Sequence, residues 1–224
     1  MVELPEHLRG EPLGQERVSR EVLADHQRER VLASAIPVFA KRGYQATTVD
    51  DLLASGKVGV GNFYSLFEGK EACFLAALDR VVADAMAKIE AAGTEQEGWD
   101  ARTYRGLTAL LRFLCQEPLS ARLFLVEAQS GGPVAMSRYD SVLDSAVVWL
   151  STGRGAHSDA AELPPSFERA AVWGLAFYLQ QCLLEARRHD PAKLLAETAP
   201  LLLEPIVGTS RLSRLTRELP AASD

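Results

Sequence analysis

The sequence predicts an all-α chain in two parts, an N-terminal unit of three short helices followed by a connecting helix and a larger helical bundle. Two observations carry this. Wherever apolar residues recur along the chain they do so at intervals of three and four, and no alternating strand pattern competes with them. The periodic stretches are separated by Gly, Pro and polar clusters, which leave room for helices and little else. With 224 residues, 47% of them apolar, the chain has ample material for a sizeable core.

In "QRERVLASAIPVFAKRG", Val31, Leu32, Ala35, Ile36 and Phe39 form one face, and Gly43 after Lys41 and Arg42 stops the helix. Pro37 lies inside this pattern, which predicts a kink or a lost backbone bond. Thr47 or Thr48 caps a second helix with Asp50 and Asp51 in its first turn, and Ser55 and Gly56 break it. Phe63, Tyr64 and Phe67 mark a third short helix, and "KEACFLAALDRVVADAMAKIEAA" a long fourth one ending near Ala92. After the polar "AAGTEQEG", helices are expected near 99–116, 119–130, 134–151, 165–188 and 191–207. Pro200 should bend the last of these.

Composition narrows the function classes. The formal charge of -6 argues against coating nucleic acid by bulk electrostatics, but leaves a local site open. No run of about twenty apolar residues occurs and the N-terminus lacks an apolar signal core, so a cytoplasmic protein is expected. Cys73, Cys115 and Cys182 sit among apolar residues and read as small buried hydrophobes, with redox sensing as the alternative. The four histidines are scattered and none stands at metal-ligand spacing. No metal, no cofactor and no enzymatic activity are expected, since no nucleophile, base pair or metal cluster can be assembled from the motifs.

A helix, a turn and a second short helix near the N-terminus is the arrangement that delivers a recognition helix to a major groove. The order of residues in "GYQATTVDDLLASGKVGVGNFYSLFEGKEACF" sharpens it. Gly43-Tyr44, Thr47-Thr48-Val49, Leu52, Val58, Gly61, Phe63-Tyr64, Phe67 and Lys70-Glu71 resemble, in order and spacing, the DNA-binding domain of the TetR/AcrR family of transcriptional regulators. The resemblance covers residues 25–74; beyond it only helix number and length agree. It implies a sequence-specific regulator, a repressor released from its double-stranded DNA operator by a mostly apolar small molecule and acting as a homodimer. The alternative is a helical small-molecule-binding or protein-interaction module that no longer reads DNA. Domains are expected at 1–24 (arm), 25–71 (DNA binding), 72–208 (ligand binding and dimerisation) and 209–224 (tail).

Site residues follow. Gly59 is an acceptable N-cap, and Gly61 lacks a Cβ that would stand between the helix start and a phosphate or base edge; a plain loop is the alternative for both, and the Phe63, Tyr64 and Phe67 spacing favours the functional reading. Phe63 and Phe67 pack inward. The resemblance implies that Tyr64 and Lys70 contact phosphates, and that Thr47 and Thr48 do so or merely cap. Val60, Gly61, Asn62 and Ser65 would read bases, Asn62 pairing with adenine and Val60 touching a thymine methyl. Lys57 stands where that family's turn usually has glycine, Gly59 replaces its usual serine, and Val60 a polar residue. From 25 to 71 six basic residues face six acidic ones, so binding rests on placed contacts. Arg9, Arg17 and Arg20 offer either an arm on the DNA backbone or in a minor groove, or, with acidic residues interleaved, a disordered or helix-extending arm.

In the bundle, "FERAAVWGLAFYLQQCLLEARR" is apolar on nearly every face. The resemblance implies a dimer interface there and on the last helix, with Ala171, Gly174, Tyr178 and Leu202 in contact; a monomeric core is the alternative. Phe113, Phe124, Glu127, Trp149, Trp173, Phe177 and Gln181 are the expected ligand contacts.

Overall fold

The computed structural model describes residues 13–94, 97–157, 160, 162–185 and 189–219. Among them there is no strand. The described residues form ten α-helices: α1 (Leu13–Arg42), α2 (Val49–Gly56), α3 (Val60–Leu66), α4 (Lys70–Ala92), α5 (Trp99–Gln116), α6 (Pro118–Leu125), α7 (Pro133–Ser151), α8 (Phe167–Leu184), α9 (Pro191–Val207) and α10 (Thr209–Glu218). Short 3-10 turns at Glu127–Ser130 and Thr152–Ala156 follow α6 and α7.

The N-terminal unit closes over Val31, Leu32, Ala35, Phe39, Leu52, Phe63, Phe67 and Phe74, all buried. Phe74 of α4 meets Phe39 edge-on at 5.0 Å and Tyr44 at 4.6 Å, so the connecting helix shares the core of the unit it leaves. Arg28 donates to the Leu66 carbonyl at 3.0 Å and lies 4.6 Å over the Phe67 ring, tying α1 to the end of α3. Pro37 offers no N–H to the preceding turn, yet α1 runs on to Arg42.

In the bundle, α5 packs between α4 and α9, and α8 against α6, α7 and α9. Arg154 organises the segment between α7 and α8. It grips the Glu168 carboxylate in a bidentate pair at 2.6 and 3.0 Å and donates to the carbonyls of Ala160, Leu163 and Pro164. Cys73 and Cys182 are buried and Cys115 is half-buried, none of the three in a disulfide, and burial pushes the Cys73 thiol up to about 12.

Several boundaries differ from the sequence expectation. The first helix begins at Leu13, so much of the expected arm is helical; residues 1–12, with Arg9, and the side chains of Arg17 and Arg20 lie outside the described residues. The helix expected at 119–130 ends at Leu125, because the chain tightens into a 3-10 turn there. The expected 165–188 helix spans Phe167–Leu184, with 186–188 outside the described residues. The expected tail forms α10, whose Leu212 and Leu215 are buried while Arg211 pairs with buried Asp100 of α5. That carboxyl is held low: burial opposes its charge, but the bonds from Arg211 and the Ala101 N–H prevail.

Candidate nucleic-acid interface

The interface is built on α2, α3 and the start of α4. Thr48 caps α2: its hydroxyl accepts from the Asp51 N–H at 3.3 Å, and the Asp51 carboxylate accepts from the Thr48 N–H at 2.9 Å. The two bonds from Thr48 lower the Asp51 pKa, with Arg42 at 2.9 Å assisting. Thr47 lies elsewhere. It is 1% exposed and its hydroxyl donates to the Gly43 carbonyl at 2.7 Å, so its side chain is interior and cannot reach a phosphate. Of the two threonines, only Thr48 is at the surface.

Lys57 ends α2 in the left-handed region, φ 49°, and the Val58 N–H closes back on the Leu53 carbonyl at 3.2 Å. Gly59 then starts α3 with no side-chain cap. Phe63 is fully buried and Phe67 nearly so, which fixes the helix rotation and turns Val60, Gly61, Asn62, Tyr64 and Ser65 outward. Val60 is 58% and Tyr64 52% exposed, unusual for large apolar side chains in so small a unit. The Ser65 hydroxyl donates to the Asn62 carbonyl at 2.8 Å, which leaves it only as an acceptor.

The glycines have no internal reason. A Cβ added at Gly59 or Gly61 meets nothing within 4 Å, and neither has a positive φ. An alanine would fit both, and at Gly61 it would be worth about 1 kcal/mol more in helix propensity. Gly131, by contrast, is fixed by its surroundings, since a Cβ there falls 2.3 Å from the Phe74 ring.

Lys70 is placed differently from the expectation. Its ammonium donates to the Tyr44 carbonyl at 3.0 Å and lies 4.4 Å over the Tyr44 ring, so it braces the turn before α2. The backbone N–H groups at the start of α4 have no side-chain cap at Gly69. The same turn is held from the other side by the bundle. Buried Glu127 accepts from the Tyr44 N–H at 3.1 Å, Arg122 donates to the Ala40 carbonyl at 2.7 Å, and Gln45 donates to the Ser130 carbonyl at 2.9 Å. Glu127, expected at a ligand, thus joins the two domains.

The other expected ligand contacts do not share a cavity. Phe113 is buried, Phe177 and Gln181 are exposed on α8, and the Trp149 indole donates to Thr103 at 3.0 Å. Trp173 is half-buried edge-on to Tyr139. Only Phe124 lines the cleft of about 360 Å³ between α4 and α7. Of the expected dimer contacts, Gly174 and Tyr178 are exposed and Ala171 is half-buried, while Leu202 is 8% exposed within the bundle core. Its neighbour Leu201, 71% exposed, points outward instead, because the helical turn puts only one of two adjacent leucines on the outer face. These exposed apolar groups carried a sequence signal only in the all-round apolarity of α8. Among the described residues no cluster of three or more His, Cys, Asp or Glu could hold a metal ion, and no helix is long and apolar enough to cross a membrane.

Comparison with known proteins agrees with this geometry. Residues 31–77 match the sequence model of bacterial regulatory proteins, tetR family. A curated relative, the uncharacterized HTH-type transcriptional regulator YerO of Bacillus subtilis, is 32% identical over 66 residues, 30% of this chain and 23% of that protein. Among solved structures, a tetR-family regulatory protein from Rhodococcus RHA1 superposes with a TM-score of 0.64 at 23% identity, covering 81% of this chain and 97% of that one. The transcriptional regulator FadR of Bacillus subtilis, solved with stearoyl-CoA, gives 0.62 at 15% identity over 80% of this chain and 98% of its own. The sequence match covers the three-helix unit and the start of α4, and the whole chain shares the fold of the tetR-family regulators it superposes on, a three-helix unit followed by a helical bundle.

Proposed function

We propose that the protein is a cytoplasmic, homodimeric transcriptional regulator that binds operator DNA through α3 and is released from it by a small molecule. The observation that carries the reading is the pair Gly59 and Gly61. The chain accepts a helix-weakening residue where nothing of its own requires one, and a backbone that must approach a phosphate or base edge accounts for it. Tyr64 supplies a hydroxyl to phosphate, and Thr48 with the uncapped start of α4 supplies further backbone contacts. Val60 and Asn62 read bases. Lys70 acts through Tyr44, holding the turn at its distance from the duplex.

Two copies join through the outer faces of α8 and α9, where Gly174, Phe177, Leu184 and Leu201 are exposed. This places two copies of α3 on one face of a duplex. The Glu127 and Arg122 bonds and the shared Phe74 core connect the bundle to the DNA-binding unit, so a ligand that shifts α4 or α6 shifts α3 as well. That FadR was solved with stearoyl-CoA supports a small-molecule ligand for this fold.

Gly61→Ala tests the reading. The variant gains about 0.5–1 kcal/mol of stability and loses affinity for an operator obtained by random-sequence selection. Tyr64→Phe weakens binding to all sequences alike, whereas Asn62→Ala relaxes preference at one or two positions by about 1–3 kcal/mol each. A Gly61→Ala protein that binds the selected DNA as tightly as the parent overturns the assignment of α3.

A further inference from the structure

The cleft between α4 and α7 has apolar walls from Leu78, Val82, Phe124, Tyr139 and Val142. Its polar groups are nearly all answered. Asp79 pairs with Arg138 Nε at 2.9 Å, and the Ser141 hydroxyl donates to the Ser137 carbonyl at 2.8 Å. One buried donor is left over. Arg138 Nη1 is buried and has no hydrogen-bond partner. Asp140 Oδ1 and Trp173 Nε1 are also buried without a hydrogen-bond partner, and Asp144 Oδ1 is answered by Arg169 Nη1 at 3.0 Å, but of Arg138, Asp140 and Trp173 only Arg138 lines the cleft. A buried guanidinium N–H without an acceptor costs free energy that an acceptor on a bound molecule recovers.

The charge at this point decides the kind of acceptor. Asp79 already balances the guanidinium, so a ligand carboxylate would meet a second carboxylate across the same group. A neutral carbonyl meets none. We propose that this cleft binds a neutral, mostly apolar small molecule whose carbonyl oxygen accepts a hydrogen bond from Arg138 Nη1, its body lying on Phe124 and Tyr139. The proposal deepens the reading of a ligand-released regulator and rests on it for the consequence of binding. Leu78, Asp79 and Val82 belong to the helix whose first turn lies at the DNA face, so the occupant bears on α4.

Three probes of one outline test it on the full chain by ligand-observed NMR titration: cyclohexyl phenyl ketone, benzylcyclohexane, which replaces the carbonyl by a methylene, and the anion 4-cyclohexylbenzoate. The ketone binds about tenfold more tightly than either of the others, the scale of one hydrogen bond to a charged donor. Arg138→Met removes that preference, and Val142→Trp, which fills the cleft without touching the donor, removes ketone binding. Equal binding of the three, strongest binding of the anion, no binding of any, or an unchanged preference in Arg138→Met overturns the proposal. So does loss of ketone binding on self-association, which would make a second copy the occupant. DNA binding measured without probe separates this from the regulator reading, since ketone binding by a chain that binds no operator sinks the latter and leaves the cleft assignment standing.

Discussion

Two arginine–glutamate pairs do opposite things in this molecule. Arg154 and Glu168 meet face to face inside one domain, bidentate, with the remaining guanidinium donors spent on three carbonyls of the neighbouring loop. Arg122 and Glu127 are 3.7 Å apart and spend their best bonds on other partners, Ala40 and Tyr44 of the N-terminal unit. The first pair is closed on itself and holds a loop. The second is divided across a junction, so each bond it makes changes when the domains move. A pair that satisfies itself stabilises; a pair that satisfies its neighbours couples.

The largest effect expected from this contrast is on stability. Arg154→Ala leaves the Glu168 carboxylate, 5% exposed, without its partner and costs about 2–4 kcal/mol, with part of the loss screened at the more exposed guanidinium. At temperatures where the variant is folded its DNA affinity is unchanged. Thermal unfolding at fixed protein concentration and a gel-shift titration check both halves.

Glu127→Ala costs less, about 1–3 kcal/mol, because it leaves the Tyr44 N–H unanswered and frees Arg122 only partly. It nevertheless changes DNA affinity, since the turn carrying Tyr44, which Lys70 braces, loses one of its anchors on the bundle. If Arg154→Ala and Glu127→Ala alter DNA binding to the same degree, the distinction between holding and coupling fails.

Acid distinguishes the closed pair in a third way. The bonds from Arg154 hold the Glu168 carboxyl below the usual carboxylate range, against the opposing effect of burial. A depressed folded-state pKa contributes stability that is present above the unfolded value, about 4.3 for Glu, and lost as pH falls through the folded one. Glu168→Gln therefore flattens the acid limb of stability against pH below about 4.3, while Asp51, Glu97 and Asp100, also held low, keep the remainder of the slope. An acid limb of unchanged steepness in Glu168→Gln would place the pH dependence elsewhere.

The two domains were unequally legible in the sequence. Helix existence and type follow from apolar spacing, and α5 and α9 fall where 99–116 and 191–207 are read, because Pro191 and the flanking glycines punctuate them. The outward side of α3 is legible too, since Phe63 and Phe67 at four-residue spacing fix its rotation. What spacing cannot give is the partner of a polar group. Glu127 and Lys70 look like free charges in a linear chain, and their acceptors and donors, Tyr44 and the turn beside it, are set by contacts made only when α6 and α4 close on α1. The aromatic residues misled for the same reason. Trp149 and Phe113 have the chemistry of a ligand wall, but neighbours distant in sequence fill that role first, Thr103 bonding the one and Lys88 lying 5.9 Å over the other. In α10 and at its C-cap, Leu212, Leu215 and Leu219 recur at helical spacing, so the helix was legible in a segment read as a tail.

The smallest effect separates strain from function at the turn between α2 and α3. Lys57 is the one non-glycine with positive φ among the described residues, a conformation that costs a side-chain-bearing residue about 1–2 kcal/mol. Glycine removes that strain but loses more freedom on folding, about 0.5–1 kcal/mol, so Lys57→Gly stabilises the chain by about 0.5 kcal/mol net. On the proposed reading, an exposed lysine kept in a strained turn beside α3 serves a DNA phosphate. The same variant should then lose DNA affinity and reduce the slope of log affinity against log salt by about 0.9. A gain in stability with an unchanged salt slope would leave the lysine as strain without purpose, and would confine the backbone-contacting surface to Thr48, Tyr64 and the start of α4.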